Sequence, residues 1–133
     1  MRYLLDTNVC IEILRGRNLP LKSRLSSRHL DDLAISSVVW AELQCGVRLA
    51  NHPERELTKL NTAFDLWQRI PFDDAAAVAY GDIRAELQRK GTLIGGNDML
   101  IAATALACGL ILVTHNTNEF LRVPGLVVED WQI

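Results

Sequence analysis

Four acidic residues occupy positions at which carboxylates could do chemistry. Asp6 directly follows a short apolar run at residues 3–5, and Glu42, Asp98 and Glu119 lie far along the chain. Carboxylates crowded together cannot all ionise unless a cation neutralises them, so a cluster of these side chains would imply a metal ion. Oxygen ligands without His or Cys favour Mg2+ or Mn2+ over zinc.

The position of Asp6 has two interpretations. A carboxylate at the carboxyl end of a parallel strand lies where open α/β sheets bind their ligands. However, Asp6, Thr7 and Asn8 are also good N-caps, and they precede a predicted helix that Gly16 ends. Capping is the commoner role for any single residue, so the other acids must decide between the two.

Glu42 lies on a predicted helix that runs from about residue 38 to about residue 50. One predicted face of this helix contains Val38, Glu42, Cys45 and Leu49, and Val39, Leu43 and Ala50 broaden its apolar stripe. Glu42 is therefore expected within or beside the buried face, where a carboxylate must be paired, protonated or bound to a metal. A place at the edge of the apolar stripe, with water or Arg48 as its partner, explains Glu42 equally well.

Asp98 stands at the start of a stretch that is almost wholly apolar or small and extends to Cys108. This composition predicts a helix buried on all sides, with Asn97 as its N-cap. Asp98 would gain about 0.3–1 kcal/mol there from the helix dipole. The dipole does not explain Gly95 and Gly96, which let the backbone and a substrate approach closely.

Short apolar segments alternate with helical patterns along the whole chain. The predicted strands are residues 3–5, 33–35, 70–72, 110–113 and 126–128. This order predicts an α/β fold of three layers, α/β/α, with a central, mostly parallel sheet of four or five strands. We treat residues 1–133 as one domain. The acids at 6, 98 and 119 can then share one edge of the sheet.

Composition and charge indicate a soluble globular protein. Hydrophobic residues make up 49% and charged residues 23%, and no apolar run approaches a membrane span, so we expect a cytoplasmic location. The net charge of -2 argues against binding nucleic acid by bulk basicity. Residues 1–28 nevertheless hold six Lys or Arg against two acids. That end of the chain could meet phosphates, although a solvated helix face is the commoner explanation.

The cysteines and histidines suggest no further site. Cys10, Cys45 and Cys108 are isolated and odd in number, so neither disulfides nor zinc are indicated, and we expect small buried side chains. His52 beside Pro53 reads as a loop residue, and neither His29 nor His115 has a partner at metal-ligand spacing.

Four blocks of the sequence resemble a known family. They are LLDTN at 4–8, VVWAEL at 38–43, IGGNDMLIAATAL at 94–106 and LVTHNTNEF at 112–120, followed by VEDW at 128–131. In order and spacing they are similar to PIN-domain ribonucleases, specifically VapC-type toxins of bacterial type II toxin–antitoxin modules. Each block alone is weak, but four in register make a specific signal.

The resemblance implies an Mg2+-dependent endoribonuclease, with Mn2+ as a possible substitute, that cleaves structured RNA such as tRNA. It also implies inhibition by a cognate VapB-type antitoxin and a homodimer within a larger complex. The family's metal-site carboxylates map onto Asp6, Glu42 and Asp98. The fourth position often holds Asp in the family; here we favour Glu119, with Asn116 as a polar supporter.

Further residues are hypotheses that follow from this mechanism and from the local basic charge. Thr7, Asn8 and Thr114 could bind the waters of the ion or the scissile phosphate, with Asn116 as a supporting residue. In the basic stretch from Arg15 to Arg28, the side chains that could contact the RNA backbone are Arg15, Arg17, Lys22 and Arg24.

Two other classes of protein remain as alternatives. One is a catalytically silent PIN-like module that binds only RNA or protein, although retention of all the acids is then hard to explain. The other is a phosphoacceptor domain, which also has an Asp after its first strand. That design needs a second acid beside or two after Asp6, where Asn8 stands, and a basic residue after a later strand, whereas no lysine follows Lys90.

Overall fold

Five short strands alternate with seven α-helices in a computed structural model that describes residues 1–133. The strands are β1 (Tyr3–Leu5), β2 (Leu33–Ser36), β3 (Gln68–Ile70), β4 (Ile111–Val113) and β5 (Val128–Glu129). The helices are α1 (Thr7–Arg15), α2 (Leu19–Ser26), α3 (Ser37–Arg48), α4 (Pro53–Phe64), α5 (Asp74–Arg89), α6 (Gly96–Cys108) and α7 (Thr117–Phe120), with a 3-10 turn at Leu30–Asp32.

The strands form one sheet in the order β3-β2-β1-β4-β5, and every neighbouring pair is parallel. Leu4 of β1 pairs with Ala34 on one side and with Leu112 on the other, so β1 is the middle strand. The predicted α/β fold with a central parallel sheet is therefore confirmed. Because all strands run the same way, residues that follow β1, β2 and β4 emerge at the same edge.

The predicted boundaries of two strands need correction. The third strand ends at Ile70, because Pro71 has no N–H to donate to a neighbouring strand. The last strand covers Val128 and Glu129 rather than 126–128, and Trp131 behind it is fully buried with its ring 4.9 Å from that of Tyr3. The structure has no helix whose length and apolar character would suffice for crossing a membrane.

Only one side of the predicted apolar face of α3 is buried. Val39 and Leu43, together with Val47, enter the core, whereas Cys45 is exposed and Leu49 is 81% exposed. Contacts of α3 with α1 and α4 cover the side that includes Val39 and Leu43. Glu42 therefore lies beside the buried stripe and is half-buried.

The predicted core positions of α5 and α6 also need correction. The apolar spacing of α5 predicts that Ala75, Val78, Ala79, Ile83 and Leu87 face the core. Ile83 and Leu87 are buried, together with Ala76, but Ala75 and Val78 are exposed. Helix α6 is buried from residue 101 to residue 105 and exposed at 107–108, so it is not enclosed on all sides. Consequently Cys108 is exposed like Cys45, and Cys10 is the one cysteine that is buried.

Candidate active site

Asp6 acts both as a helix cap and as a buried acid between two strands. Its Oδ1 accepts a hydrogen bond of 2.9 Å from the Val9 N–H, which caps α1. Its Oδ2 accepts a hydrogen bond from Thr114 Oγ1 at the end of β4. Asp6 is 5% exposed and Thr114 is fully buried. The two interpretations of Asp6 are thus compatible, because one carboxylate oxygen serves each role.

The environment of Asp6 disfavours its charged form. Burial raises the pKa of Asp6 most, and the negative charge of Glu42 raises it further. The hydrogen bonds from Thr114 and from the Val9 N–H lower the pKa, and so does His115. The net effect is a raised pKa, which is expected for an acid that lacks a cation beside it.

Glu42 is tied to the residue that follows Asp6. Thr7 Oγ1 donates a hydrogen bond of 2.8 Å to Glu42 Oε1. Arg48, which the sequence offered as a partner for Glu42, instead donates to Gln44 Oε1 at 2.7 Å and to the Gln44 carbonyl at 2.9 Å. Glu42 therefore has a hydroxyl partner but no basic side chain paired with it.

Asp98 lies in the first turn of a helix that begins earlier than the sequence predicted. Helix α6 starts at Gly96 with Gly95 as its N-cap, so Asn97 is a helical residue and the prediction that it caps the helix was wrong. The pKa of Asp98 is raised to about 7, first by burial and then by Glu119, Asp6 and Glu42. Asp6 and Glu119 follow the neighbouring strands β1 and β4, Glu42 bonds to Thr7, and Glu119 bonds to Gly95 at the start of α6, so the four acids lie at the same edge of the sheet.

Glu119 approaches Asp98 across Gly95. Its Oε1 accepts a hydrogen bond of 2.9 Å from the Gly95 N–H, and its Oε2 accepts one from Asn116 Nδ2. A Cβ placed on Gly95 would lie 3.2 Å from Asp98 Oδ2 and 3.7 Å from Glu119 Oε1. The absence of a side chain at Gly95 therefore makes room for the two carboxylates, whereas a Cβ on Gly96 would meet nothing within 4 Å.

The loop after β4 connects these acids. The Asn116 N–H donates a hydrogen bond of 3.0 Å to Thr114 Oγ1. The Thr114 hydroxyl in turn donates a hydrogen bond to Asp6. In the same loop Asn116 holds Glu119, so one short segment contacts Asp6 and Glu119 at once. Glu119 offers the carboxylate at the fourth position and Asn116 orients it. Whether Glu119 is an ion ligand remains a prediction.

The donor set fits a hard divalent cation. The ion pairs of the structure are Arg15–Glu12, Lys90–Glu86 and His115–Asp130, and none of them includes one of the four acids. The four acids therefore form no ion pair with a basic side chain, and every donor that they offer is a carboxylate oxygen. No three acidic, His or Cys side chains are already arranged as ligands of one point, so joint coordination requires side-chain rotation.

Asn8 and the four basic residues predicted to contact RNA lie partly in a cleft beside the acids and partly on or near α2. Asn8 and Arg15 lie on α1 and line a cleft next to the acids. Arg15 donates a hydrogen bond of 2.8 Å to Glu12 there. Lys22 and Arg24 belong to α2, and Arg17 lies between the two helices. Lys22 and Arg17 are exposed and Arg24 is half-buried. None of the four makes an ion pair with the acids of the site.

One polar contact near the site was missed from the sequence. His115 Nδ1 lies 2.9 Å from Asp130 Oδ2, although the two residues are separated by α7 and a turn. Neither residue has a partner at a regular spacing, so no periodicity could have shown the pair. The only sequence signal is that each residue lies within two residues of the end of a strand.

Comparison with known proteins defines the class to which this fold belongs. The profile of the PIN domain matches residues 3–126. Ribonuclease VapC2 of Rickettsia felis is 39% identical, and tRNA(fMet)-specific endonuclease VapC of Salmonella typhimurium is 37% identical; each match covers 98% of both chains.

Solved structures agree with these sequence matches. VapBC2 from Rickettsia felis bound to a promoter DNA fragment superimposes with a TM-score of 0.91 at 38% identity, covering 98% of this chain and 99% of that one. DNA-bound VapBC from Salmonella typhimurium gives a TM-score of 0.93 at 37% identity, covering 98% of each chain. The chain belongs to the PIN-domain family. Within that family it groups with the VapC ribonucleases, as the sequence resemblance predicted.

The raised pKa of Asp98 predicts how stability depends on pH without metal. A carboxyl whose folded-state pKa exceeds its unfolded value stabilises the fold below the unfolded value, and this contribution is lost as pH rises through the folded value. In EDTA we therefore expect the protein to lose stability between about pH 4 and about pH 7, and Asp98→Asn to lose less. Urea unfolding at several pH values measures this.

The control for this comparison is Asp82→Asn, which removes a carboxylate from an exposed position on α5. That variant should follow the pH dependence of the unmodified protein. Equal pH dependence of the Asp98→Asn variant and the unmodified protein would contradict the prediction.

Proposed function

We propose that this protein is an Mg2+-dependent endoribonuclease that acts as the toxin of a type II toxin–antitoxin module and cleaves structured RNA. The observation that carries the proposal is that four carboxylates lie at one edge of the sheet and none of them forms an ion pair with a basic side chain. Burial and the repulsion from the other three acids raise the pKa of Asp98 to about 7. A divalent cation removes that repulsion, and Mn2+ has the same ligand preference.

Asp6 and Asp98 would hold the ion, with Glu42 and Glu119 as further ligands or as acceptors for its waters. A bound Mg2+ supplies a water of lowered pKa and stabilises negative charge on the phosphoryl oxygens. The residues of the chain position these groups: Thr114 holds Asp6, Thr7 holds Glu42 at 2.8 Å, and Asn116 holds Glu119. Such supporting hydrogen bonds orient the carboxylates for the ion and for the phosphate.

The substrate and partner follow from the relatives. One relative is named a tRNA(fMet)-specific endonuclease, which supports a structured RNA such as tRNA as the substrate of this chain. The solved relatives are VapBC complexes, which supports a cognate VapB-type antitoxin as the inhibitor. We also propose that the toxin forms a homodimer within such a complex. A catalytically silent PIN-like module is the competing function, and it leaves the uncompensated acids without a role.

Removing one carboxylate charge should stop cleavage and leave the fold intact. We expect Asp6→Asn and Asp98→Asn each to lower RNA cleavage at least about 100-fold, because a lost ligand costs more than a lost supporting hydrogen bond. Asn is itself a good N-cap, so Asp6→Asn keeps the start of α1. Cleavage of a tRNA pool with Mg2+, with EDTA and after Mg2+ is restored is the measurement.

Asp73→Asn is the matched control, since Asp73 caps α5 by accepting the Ala76 N–H at 3.0 Å and is not one of the four acids. It should cleave as the unmodified protein does. Full activity of either site variant, or cleavage that persists in EDTA, would refute the assignment. An unmodified protein that binds RNA without cleaving it would favour the silent module.

The space at Gly95 predicts a difference between two neighbouring glycines. Gly95→Ala places a methyl group 3.2 Å from Asp98 Oδ2, so the carboxylate must move, and we expect the affinity for Mn2+ to fall about tenfold. Gly96→Ala meets nothing within 4 Å and should bind Mn2+ normally. Both positions have φ values that alanine adopts. Calorimetric titration with Mn2+ compares them, and equal affinities would show that the space is not needed.

The basic residues of α2 predict the salt dependence of RNA binding. If Lys22 and Arg24 contact phosphates, replacing both with Ala should flatten the plot of log affinity against log salt by about 0.7 for each lost contact. Arg55→Ala with Lys59→Ala, on the exposed side of α4, provides a pair of the same charge as a control. Identical slopes for the two double variants would exclude α2 as an RNA contact.

A further inference from the structure

A polar cleft beside the acids takes part in the mechanism above only through Asn116, which holds Glu119. Its volume is about 440 Å3, which lies within the range of small-molecule sites. Ile11 is its one hydrophobic lining residue. The polar walls come from α1, from the turn after β4 and from the C-terminal segment, and they consist of Asn8, Glu12, Arg15, His115, Asn116 and Gln132.

The imidazole of His115 is anchored on one side only. Its Nδ1 lies 2.9 Å from Asp130 Oδ2, and Asp130 Oδ1 accepts the Gln132 N–H at 2.9 Å. The Asp130 side chain is 13% exposed, whereas that of His115 is 58% exposed. Nε2 makes no hydrogen bond within the chain. A fixed carboxylate thus holds an aromatic ring that is otherwise open to the cleft and to solvent.

Arg15 provides a positive charge in the same cleft. Its Nη1 donates a hydrogen bond of 2.8 Å to Glu12 Oε1, and its side chain is 53% exposed. Exposed ion pairs of this kind are weak, so the guanidinium remains available to a phosphate. Arg15 is the only Lys or Arg among the residues that line the cleft.

The cleft is continuous with the acidic site. Asn8 follows Asp6 by two residues, His115 follows Thr114, and Asn116 bonds to Glu119. Thr114 in turn donates to Asp6. A polymer bound at the acids would therefore extend directly past His115.

We propose that this cleft holds one unpaired nucleotide of the RNA next to the cleaved bond, with its base stacked on His115 and its phosphate facing Arg15. This inference rests on the proposed nuclease function and adds the feature of the substrate that is recognised. Histidine rings and guanidinium groups are common partners of unstacked bases in single-stranded loops, and a base inside a helix has neither face open. Cleavage is then expected in an unpaired stretch of a structured RNA.

The test measures binding of a base separately from cleavage. The probe is a short ribose-phosphate strand that is abasic except for one 2-aminopurine, whose fluorescence is quenched when it stacks, and the comparison strand is fully abasic. Titrations in EDTA use the full chain and the variants His115→Ala and His115→Phe. We expect His115→Ala to bind the 2-aminopurine strand about 5- to 100-fold more weakly, which corresponds to one lost stacking contact.

The fully abasic strand should bind equally to the unmodified protein and to His115→Ala. His115→Phe keeps an aromatic face, so it should quench 2-aminopurine and bind more tightly than His115→Ala. His52→Ala is the matched control, because His52 is also exposed and makes no capping hydrogen bond. It should behave as the unmodified protein in every titration.

Several outcomes would overturn the subsite. The first is that the unmodified protein binds the 2-aminopurine strand and the fully abasic strand with equal affinity. The second is that His115→Ala binds the 2-aminopurine strand as tightly as the unmodified protein does. The third is that His115→Ala loses the same factor of affinity for both strands. Cleavage with Mg2+ is followed in the same preparations, where His115→Ala should raise KM and leave kcat nearly unchanged. If the unmodified protein does not cleave RNA, the nuclease proposal fails; if it cleaves without dependence on His115, only the subsite fails.

Discussion

Uncompensated negative charge at the carboxyl edge of the sheet is the constraint on which the site depends. Asp6, Glu42, Asp98 and Glu119 come from four separate elements, and folding brings them together without a Lys or Arg between them. Packing of the apolar sheet and helices supplies the free energy that holds these like charges in proximity. The raised pKa values of Asp6 and Asp98 record the resulting repulsion and burial.

A chain of hydrogen bonds converts this crowding into a defined geometry. Asp6 accepts hydrogen bonds from the Val9 N–H and from the Thr114 hydroxyl. The bond from Thr114 joins the ends of β1 and β4. From Thr114 the chain continues through Asn116 to Glu119, and Glu119 receives the Gly95 N–H at the start of α6. Asp6, Glu42 and Glu119 are thus each oriented by a neighbour on another element. The same turn after β4 also presents His115, so the acids and the adjacent cleft share one structural support.

The errors of the sequence analysis have a common physical origin. On α3 and α5 two apolar stripes lie next to each other, and amphipathic spacing alone cannot choose between them. Contacts with α1 and α4 bury Val39 and Leu43 of α3, and contacts with α6 bury Ile83 of α5. The start of α6 was misplaced because Asn97 has the side chain of a cap, whereas Gly95 occupies that position and Glu119 satisfies its N–H.

The sequence by itself determined the alternation of strands and helices, the parallel sheet and the location of Asp6 and Asp98 beside predicted element ends. These features depend on local periodicity and on capping residues, which a short window of sequence contains. Only the tertiary structure decided that Thr7 holds Glu42, that Asn116 holds Glu119 and that Asp130 holds His115. Such contacts are set by how elements pack and how loops return over the sheet, and neither follows any repeat in the chain.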